Sequence, residues 1–278
     1  MHSVPFRKMH GLGNDFVVLD GRRASIVVDA AAARALADRH TGIGCDQLIV
    51  IEPPKAPAAH AFMRILNADG STAEACGNGT RCIARLIAEE TGKPLVRLET
   101  VAGMLAAEML PDGRVTVDMG EVRTFWRDIP LAREMDTLAV DLAGGPLASP
   151  VCSNIGNPHA TFFVDDAEAV DLAVLGPLLE TDPLFPQRAN IGIASIVGPT
   201  RIRLRIWERG VGITRACGSG ACAALVGAHR RGLTGRQATI VLDGGELDIL
   251  WRDDGHVLTT GAATLAFEGR FDAALLGR

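Results

Sequence analysis

No apolar run in this sequence approaches the roughly 20 residues that a helix needs to cross a bilayer. The longest, such as Ala221 to Ala228, suits a buried helix in a globular core, and no membrane association is expected. Tyrosine is absent, and lysine occurs three times against 25 arginines. With abundant alanine this looks like the bias of a GC-rich genome and carries no structural message. Positive charge is also in deficit: the net charge of -5 gives no reason to expect nucleic acid as a partner. The local clusters Arg201, Arg203, Arg205 and Arg230, Arg231 read as solvent-facing strand or helix faces. The stretch around Pro5, Arg7 and Lys8 has no signal-peptide core, so a cytoplasmic protein is expected.

Cysteine is scarce too. Six in 278 residues (45, 76, 82, 152, 217, 222) are too few for a disulfide scaffold. Their spacings, Cys-x5-Cys and Cys-x4-Cys, lack the short knuckle of a zinc site, and no metal is expected. Neither glycine-rich turn before a helix has the Gly-x4-Gly-Lys-Ser/Thr spacing of a phosphate-binding loop. Gly11-x-Gly13 lacks the third glycine of a dinucleotide fingerprint, so nucleotide binding is not expected either.

What the sequence does contain is one uncommon phrase written twice: Ala75-Cys76-Gly77-Asn78-Gly79 and Ala216-Cys217-Gly218-Ser219-Gly220. Each runs into an apolar, alanine-rich stretch that reads as a helix with the cysteine at its mouth. A helix N-terminus lowers a thiol's pKa and attracts anions. If the halves fold alike and face each other, the two thiols flank one atom of a small anionic ligand, the arrangement needed to move a proton from one face of a carbon to the other. Cys82 and Cys222, inside the helices, read as small core residues. Cys45 and Cys152 belong to no constellation.

Strand-like runs lie at 16–20, 47–52, 62–67, 95–100 and 115–119, then at 160–164, 194–197, 201–208, 238–242, 246–251 and 256–260. Helical patterns cover 29–40, 79–91, 168–180 and 218–232. The helices after the cysteines are apolar around most of their circumference, which predicts burial on all sides. The expected fold class is α+β. Two pseudo-symmetric halves each form a mostly antiparallel sheet curled around a central buried helix, with the active site in the cleft between them. The expected division is 1–121 plus 265–278, carrying Cys76, and 122–264, carrying Cys217. A final strand near 265–271 is expected to cross back to the first half.

Of the six asparagines, Asn14, Asn67, Asn78, Asn157 and Asn190 sit at strand ends or beside glycine-rich turns. Asparagine favours turns for its own reasons. A primary amide also donates to a carboxylate and accepts from an ammonium, as an amino-acid site requires. Glu208 and Arg209 end a strand before the second cysteine. Read blandly they are surface charges; read with the thiol, Glu208 tunes it and Arg209 pairs with a carboxylate through a bidentate fork. His159 is by type more often structural, although beside a thiol it could hold a proton.

These residues together resemble the diaminopimelate epimerases, cofactor-independent amino-acid epimerases. The family's phrases appear in order as His10-Gly11-Leu12-Gly13-Asn14-Asp15-Phe16, Gly42-Ile43-Gly44-Cys45-Asp46-Gln47, Asn67-Ala68-Asp69-Gly70-Ser71, Cys76-Gly77-Asn78-Gly79-Thr80-Arg81-Cys82, Gly156-Asn157-Pro158-His159, Glu208-Arg209-Gly210 and Ala216-Cys217-Gly218-Ser219-Gly220-Ala221-Cys222. The resemblance implies that Cys76 and Cys217 are the acid/base thiols, Cys76 donating and Cys217 accepting in one direction, with His159 and Glu208 modulating them. It implies substrate contacts from Asn14, Gln47, Asn67, Asn157, Asn190, Glu208 and Arg209. It further implies helix-start amides from Gly77-Asn78 and Gly218-Ser219. Diaminopimelate is the implied small-molecule substrate, no cofactor is implied, and a homodimer is. The chain departs from the family's usual phrases at Ile213, Gly192 and Thr260-Gly261-Ala262-Ala263 with Phe267, the last bearing on the homodimer contact. A related two-thiol racemase with another substrate, or a non-catalytic thiol redox or metal-binding protein, are the rival readings.

Overall fold

The computed structural model describes residues 3–277, so positions 1, 2 and 278 of the expected first half lie outside the described residues. In chain order the elements are β1 (Ser3–Gly11), β2 (Asn14–Asp20), α1 (Ala30–Ala37), β3 (Gln47–Glu52), β4 (Ala61–Asn67), β5 (Thr72–Ala73), α2 (Gly77–Thr91), β6 (Leu95–Thr100), β7 (Gly103–Met109) and β8 (Val115–Glu121). There follow β9 (Ala143–Gly144), β10 (Leu147–Ala148), β11 (Val151–Asn154), β12 (Pro158–Phe163), α3 (Leu172–Glu180), β13 (Asn190–Gly198), β14 (Arg201–Glu208), β15 (Gly212–Thr214), α4 (Gly218–Arg230), β16 (Gln237–Leu242), β17 (Gly245–Trp251), β18 (His256–Gly261) and β19 (Thr264–Asp272).

The chain divides into two compact units, 1–117 with 261–278 and 118–260. These breaks fall inside β8 and β18, a few residues before those expected.

The first unit pairs β1 antiparallel to β2, β2 parallel to β3, β3 antiparallel to β4, β4 parallel to β6 and β6 antiparallel to β7. The second repeats that series strand for strand: β11 with β12, β12 parallel to β13, β13 with β14, β14 parallel to β16, β16 with β17. Each parallel step needs a crossover longer than a hairpin, and helices α1, α2, α3 and α4 lie within the four crossovers. The repeat is therefore one of topology and extends well beyond the cysteine phrases. The sheets are mixed, with antiparallel pairs in the majority.

Strand β19 pairs antiparallel with β1 through Ser3↔Asp272 to His10↔Thr264, returning the chain's end to the unit where it began. Phe6 meets Phe267 edge to face there, the ring centroids 5.9 Å apart, a favoured aromatic geometry.

Helix α4 is buried along Gly220 to Ala228, as its near-uniform apolarity requires. Helix α2 departs from that expectation. It buries Asn78 to Ala84 and Leu86 to Ala88, yet Arg85 is half-buried and pairs with Glu89 at 2.8 Å on its outer face. Helix 168–180 is also broken: Asp166 caps a short 3-10 turn (167–169), and Asp171 starts a new helix by accepting from Val174 N. Two of the arginines read as solvent-facing are largely covered. Arg203 bridges Glu168 and Asp243, and Arg205 donates to the carbonyls of Ala167 and Val170.

Candidate functional site

Both cysteines take the N-cap position in extended backbone, and the chain turns helical immediately after them. A cap must accept from the third helical residue, and here sulfur does: Gly79 N donates to Cys76 Sγ and Gly220 N to Cys217 Sγ, each at 3.4 Å. Any larger residue at these glycines would have to displace a buried isoleucine methyl. A Cβ on Gly79 would lie 2.8 Å from Ile49 Cδ1, and one on Gly220 would lie 2.1 Å from Ile206 Cδ1. Both isoleucines are buried on strands facing the helices.

Around Cys76 the first unit gathers amides. Asn14 opens β2, directly after the left-handed turn Leu12-Gly13, and its Oδ1 lies 4.0 Å from Cys76 Sγ and 3.1 Å from Asn78 Nδ2. Gln47 and Asn67 are register partners on β3 and β4, joined by Gln47 Nε2 to Asn67 Oδ1 at 2.9 Å. Asn67 Nδ2 in turn donates to Ser71 Oγ. Gln47 Oε1 is buried with no hydrogen-bond partner among the described residues. A buried acceptor left unpaired is costly, and this one is available to an ammonium.

The environment of Cys217 is more highly charged. Burial pushes its thiol well above the ordinary range, and the Glu208 carboxylate beside it pushes in the same direction. Ser219 Oγ at 3.5 Å works against both. Glu208 also accepts from Thr214 Oγ1, a partner that sequence reasoning missed. Arg209 N donates to Asn190 Oδ1 at 3.0 Å and its guanidinium to Gln187 O, while Asn190 Nδ2 donates to Pro158 O. Asn190 is the register partner of His159, so Asn157, His159, Asn190, Glu208, Arg209 and Cys217 occupy connected positions at the ends of β12, β13 and β14.

His159 is 1% exposed, with Nε2 2.8 Å from Asn157 Oδ1. Burial, then the Arg209 charge, push its pKa down to about 3 from 6.5. The imidazole is therefore neutral, and it donates from Nε2 to Asn157 Oδ1. The unfolded chain binds this proton from about pH 6.5 downward, whereas the folded chain does so only near pH 3. Stability thus falls with falling pH in that window, by about 1–2 kcal/mol between pH 7 and 5. Thermal melts at these two pH values should show a smaller acid loss for His159→Gln than for the wild type; equal losses would remove the buried neutral histidine from the account.

The remaining cysteines act as core residues. Burial pushes the Cys45 thiol to about 11 and those of Cys82 and Cys152 to about 12. Among the described residues, no three His, Cys, Asp or Glu side chains gather into a metal-binding cluster. Sequence reasoning also missed Glu180, 4% exposed, which accepts from Trp207 Nε1 at 2.6 Å and from Gly210 N at 2.9 Å. It anchors the turn that carries Glu208 and Arg209. A lone carboxylate ending the apolar helix Leu172–Glu180 was its only signal.

The family model described as diaminopimelate epimerase matches residues 6–125 and 151–266. A diaminopimelate epimerase of Rhodospirillum centenum is 60% identical over 271 residues, covering 98% of this chain and 93% of that protein. One of Acidiphilium cryptum is 58% identical over 272 residues, covering 98% of both. Among solved structures, a hydroxyproline epimerase of Agrobacterium vitis with bound trans-4-hydroxy-L-proline shares the fold. Its TM-score is 0.69 at 17% identity, over 99% of this chain and 95% of that one. With both cysteine-capped helices inside the matched segments, and with relatives this similar along nearly the whole length, this chain belongs to the diaminopimelate epimerase family.

Proposed function

We propose that this protein epimerises LL-diaminopimelate to meso-diaminopimelate, and the reverse, supplying lysine and peptidoglycan synthesis, with Cys76 and Cys217 as the two acid/base groups. The observation that carries the reading is the pair of helix starts capped by thiols and surrounded by amides and one arginine, in a chain of this family. One thiolate takes the α-proton while the other group, as thiol, gives a proton to the opposite face. The chain's own dipoles stabilise the carbanion: the helix-start amides of Gly77-Asn78 and Gly218-Ser219 hold the reacting carboxylate as negative charge moves onto it, each well-placed donor being worth about 2.7–4 kcal/mol.

Glu208 disfavours the Cys217 thiolate, and in this reading Cys76 donates while Cys217 accepts in one direction, the roles exchanging in the other. The amides Asn14, Gln47, Asn67, Asn157 and Asn190, together with Arg209, would bind the amino and carboxyl groups at the substrate's distal end. A cytoplasmic homodimer is part of the same reading.

The test is α-hydrogen exchange in deuterated water with fully reduced protein and LL-diaminopimelate. Deuterium should enter the α-carbon as the meso isomer forms. Folded protein that exchanges a proline-type substrate but not diaminopimelate would transfer the two-thiol chemistry to another racemase substrate.

A further inference from the structure

The amide of Asn14 is locked from both ends. Arg81, fully buried on α2, donates from its guanidinium to Asn78 Oδ1 at 2.6 Å. A guanidinium can only donate, so Asn78 must turn its oxygen toward Arg81 and its Nδ2 toward Asn14, to whose Oδ1 it donates at 3.1 Å. At the far end, Asn14 Nδ2 donates to Asp46 Oδ2 at 2.9 Å. A carboxylate can only accept, so the second amide is fixed in the same sense as the first. The oxygen that remains in reach of Cys76 Sγ is therefore always the carbonyl of Asn14.

Asp46 is itself held. It accepts from Asp15 N at 3.1 Å and from Arg39 at 2.7 Å, and its own N–H donates to Asp15 Oδ1. Burial resists ionisation of Asp15, but hydrogen bonds from Arg39 and Lys8 hold its carboxyl far below the usual carboxylate range. Lys8 from β1, Asp15 from β2, Arg39 after α1, Asp46 before β3 and Arg81 from α2 are thus the charged groups bearing on the relay.

We propose that Arg81 and Asp46 are positioning residues for the reaction: they polarise the Asn78–Asn14 pair between a cation and a carboxylate so that Cys76 always faces an acceptor. Resting on the two-thiol reading, this gives Cys76 a partner for its S–H when it must deliver a proton. It keeps the Asn14 NH2 from adding a second donor to the Gly79 N–H already on the sulfur, which would favour the thiolate further. Neither residue touches substrate; both act through Asn14.

The experiment reads Cys76 itself and does not depend on turnover. In a Cys217→Ala background, the pH profile of Cys76 alkylation by iodoacetamide, followed by peptide mass spectrometry, is compared for Asp46→Ala and Asp46→Asn. Both variants remove the same charge, but only asparagine keeps an oxygen that can hold Asn14. The relay requires Asp46→Ala to shift the profile down by about one pH unit as Asn14 turns its NH2 to the sulfur, with Asp46→Asn close to the parent. Equal shifts in both would assign the effect to charge at a distance, and no shift in either would remove Asp46 from the site; each overturns the proposal. The unmutated protein gives an independent reading should Asp46→Ala not fold: the Asn14 and Asn78 side-chain amide protons must exchange slowly with solvent, and rapid exchange of either overturns the relay. Absence of diaminopimelate turnover alongside the required alkylation shifts would reject the substrate and leave the relay standing.

Discussion

Cys217→Ala lowers inversion at the α-carbon by about 10²- to 10⁴-fold, the range for loss of a positioned acid or base, and Cys76→Ala does the same. The informative part is what survives. A variant that keeps one thiol can still remove the proton from the face that thiol meets and return a deuteron to the same face. Each variant should therefore exchange the α-hydrogen of one epimer without inverting it, and the preferred epimer should differ between the two. The folding cost is modest, because the cap at Gly79 N or Gly220 N is a sulfur bond of 3.4 Å, and loss of a cap costs typically about 1 kcal/mol. Melting curves near that of wild type, with inversion gone from both variants, would separate chemistry from structure. Full inversion by either variant would end the two-base reading.

Glu180→Ala should have the second-largest effect, and for a different reason. Its carboxylate, 4% exposed, satisfies Trp207 Nε1 and Gly210 N. Removing it leaves the half-buried Trp207 donor without its acceptor, at about 1–3 kcal/mol, while the exposed Gly210 N–H can turn to water. There is no easy collapse to cover the loss, since the Trp207 ring already packs where a Cβ on Gly176 would lie, 2.5 Å away. The turn after Glu208 would loosen, and Arg209, held through Asn190 and Gln187 on one side only, would lose its aim. The expected outcome is a midpoint in urea lowered by the equivalent of about 1–3 kcal/mol and a KM raised more than kcat is lowered. Glu180→Gln, which keeps one acceptor oxygen, should recover part of both. A KM unchanged in a destabilised Glu180→Ala protein would confine the residue to folding.

The cysteine phrases were legible because a thiol followed by Gly-x-Gly satisfies a local rule, the cap, which needs no knowledge of the rest of the chain. Asn14 and Asn67 could be suspected because each sits at a strand end or beside a glycine-rich turn, whereas Gln47 came only from the family resemblance. What was not legible depends on partners far away in sequence. Strand β1 carries Pro5, Arg7 and Lys8 and has little alternation; it is a strand because β2 and β19 pair with it on either side. Strand β7, Gly103–Met109, holds two alanines and a glutamate and is ordered by β6 through Leu95↔Glu108 to Thr100↔Gly103. The charge cluster of Lys8, Asp15, Arg39 and Asp46 comes from four separate elements or loops, and no spacing rule connects them. That His159 is buried and neutral was not legible either, since burial is a property of the folded chain.

The close approach of an isoleucine to each capped helix start also says where the two halves are permitted to diverge. A methyl group at position 79 or 220 would displace a buried isoleucine, and the sulfurs at 76 and 217 hold the caps. The slot between the glycines is where the copies differ: Asn78 is tied to Arg81 and Asn14, whereas Ser219 turns its hydroxyl to Cys217 Sγ. One scaffold, written twice, thus gives each thiol a different companion through a single codon in each copy.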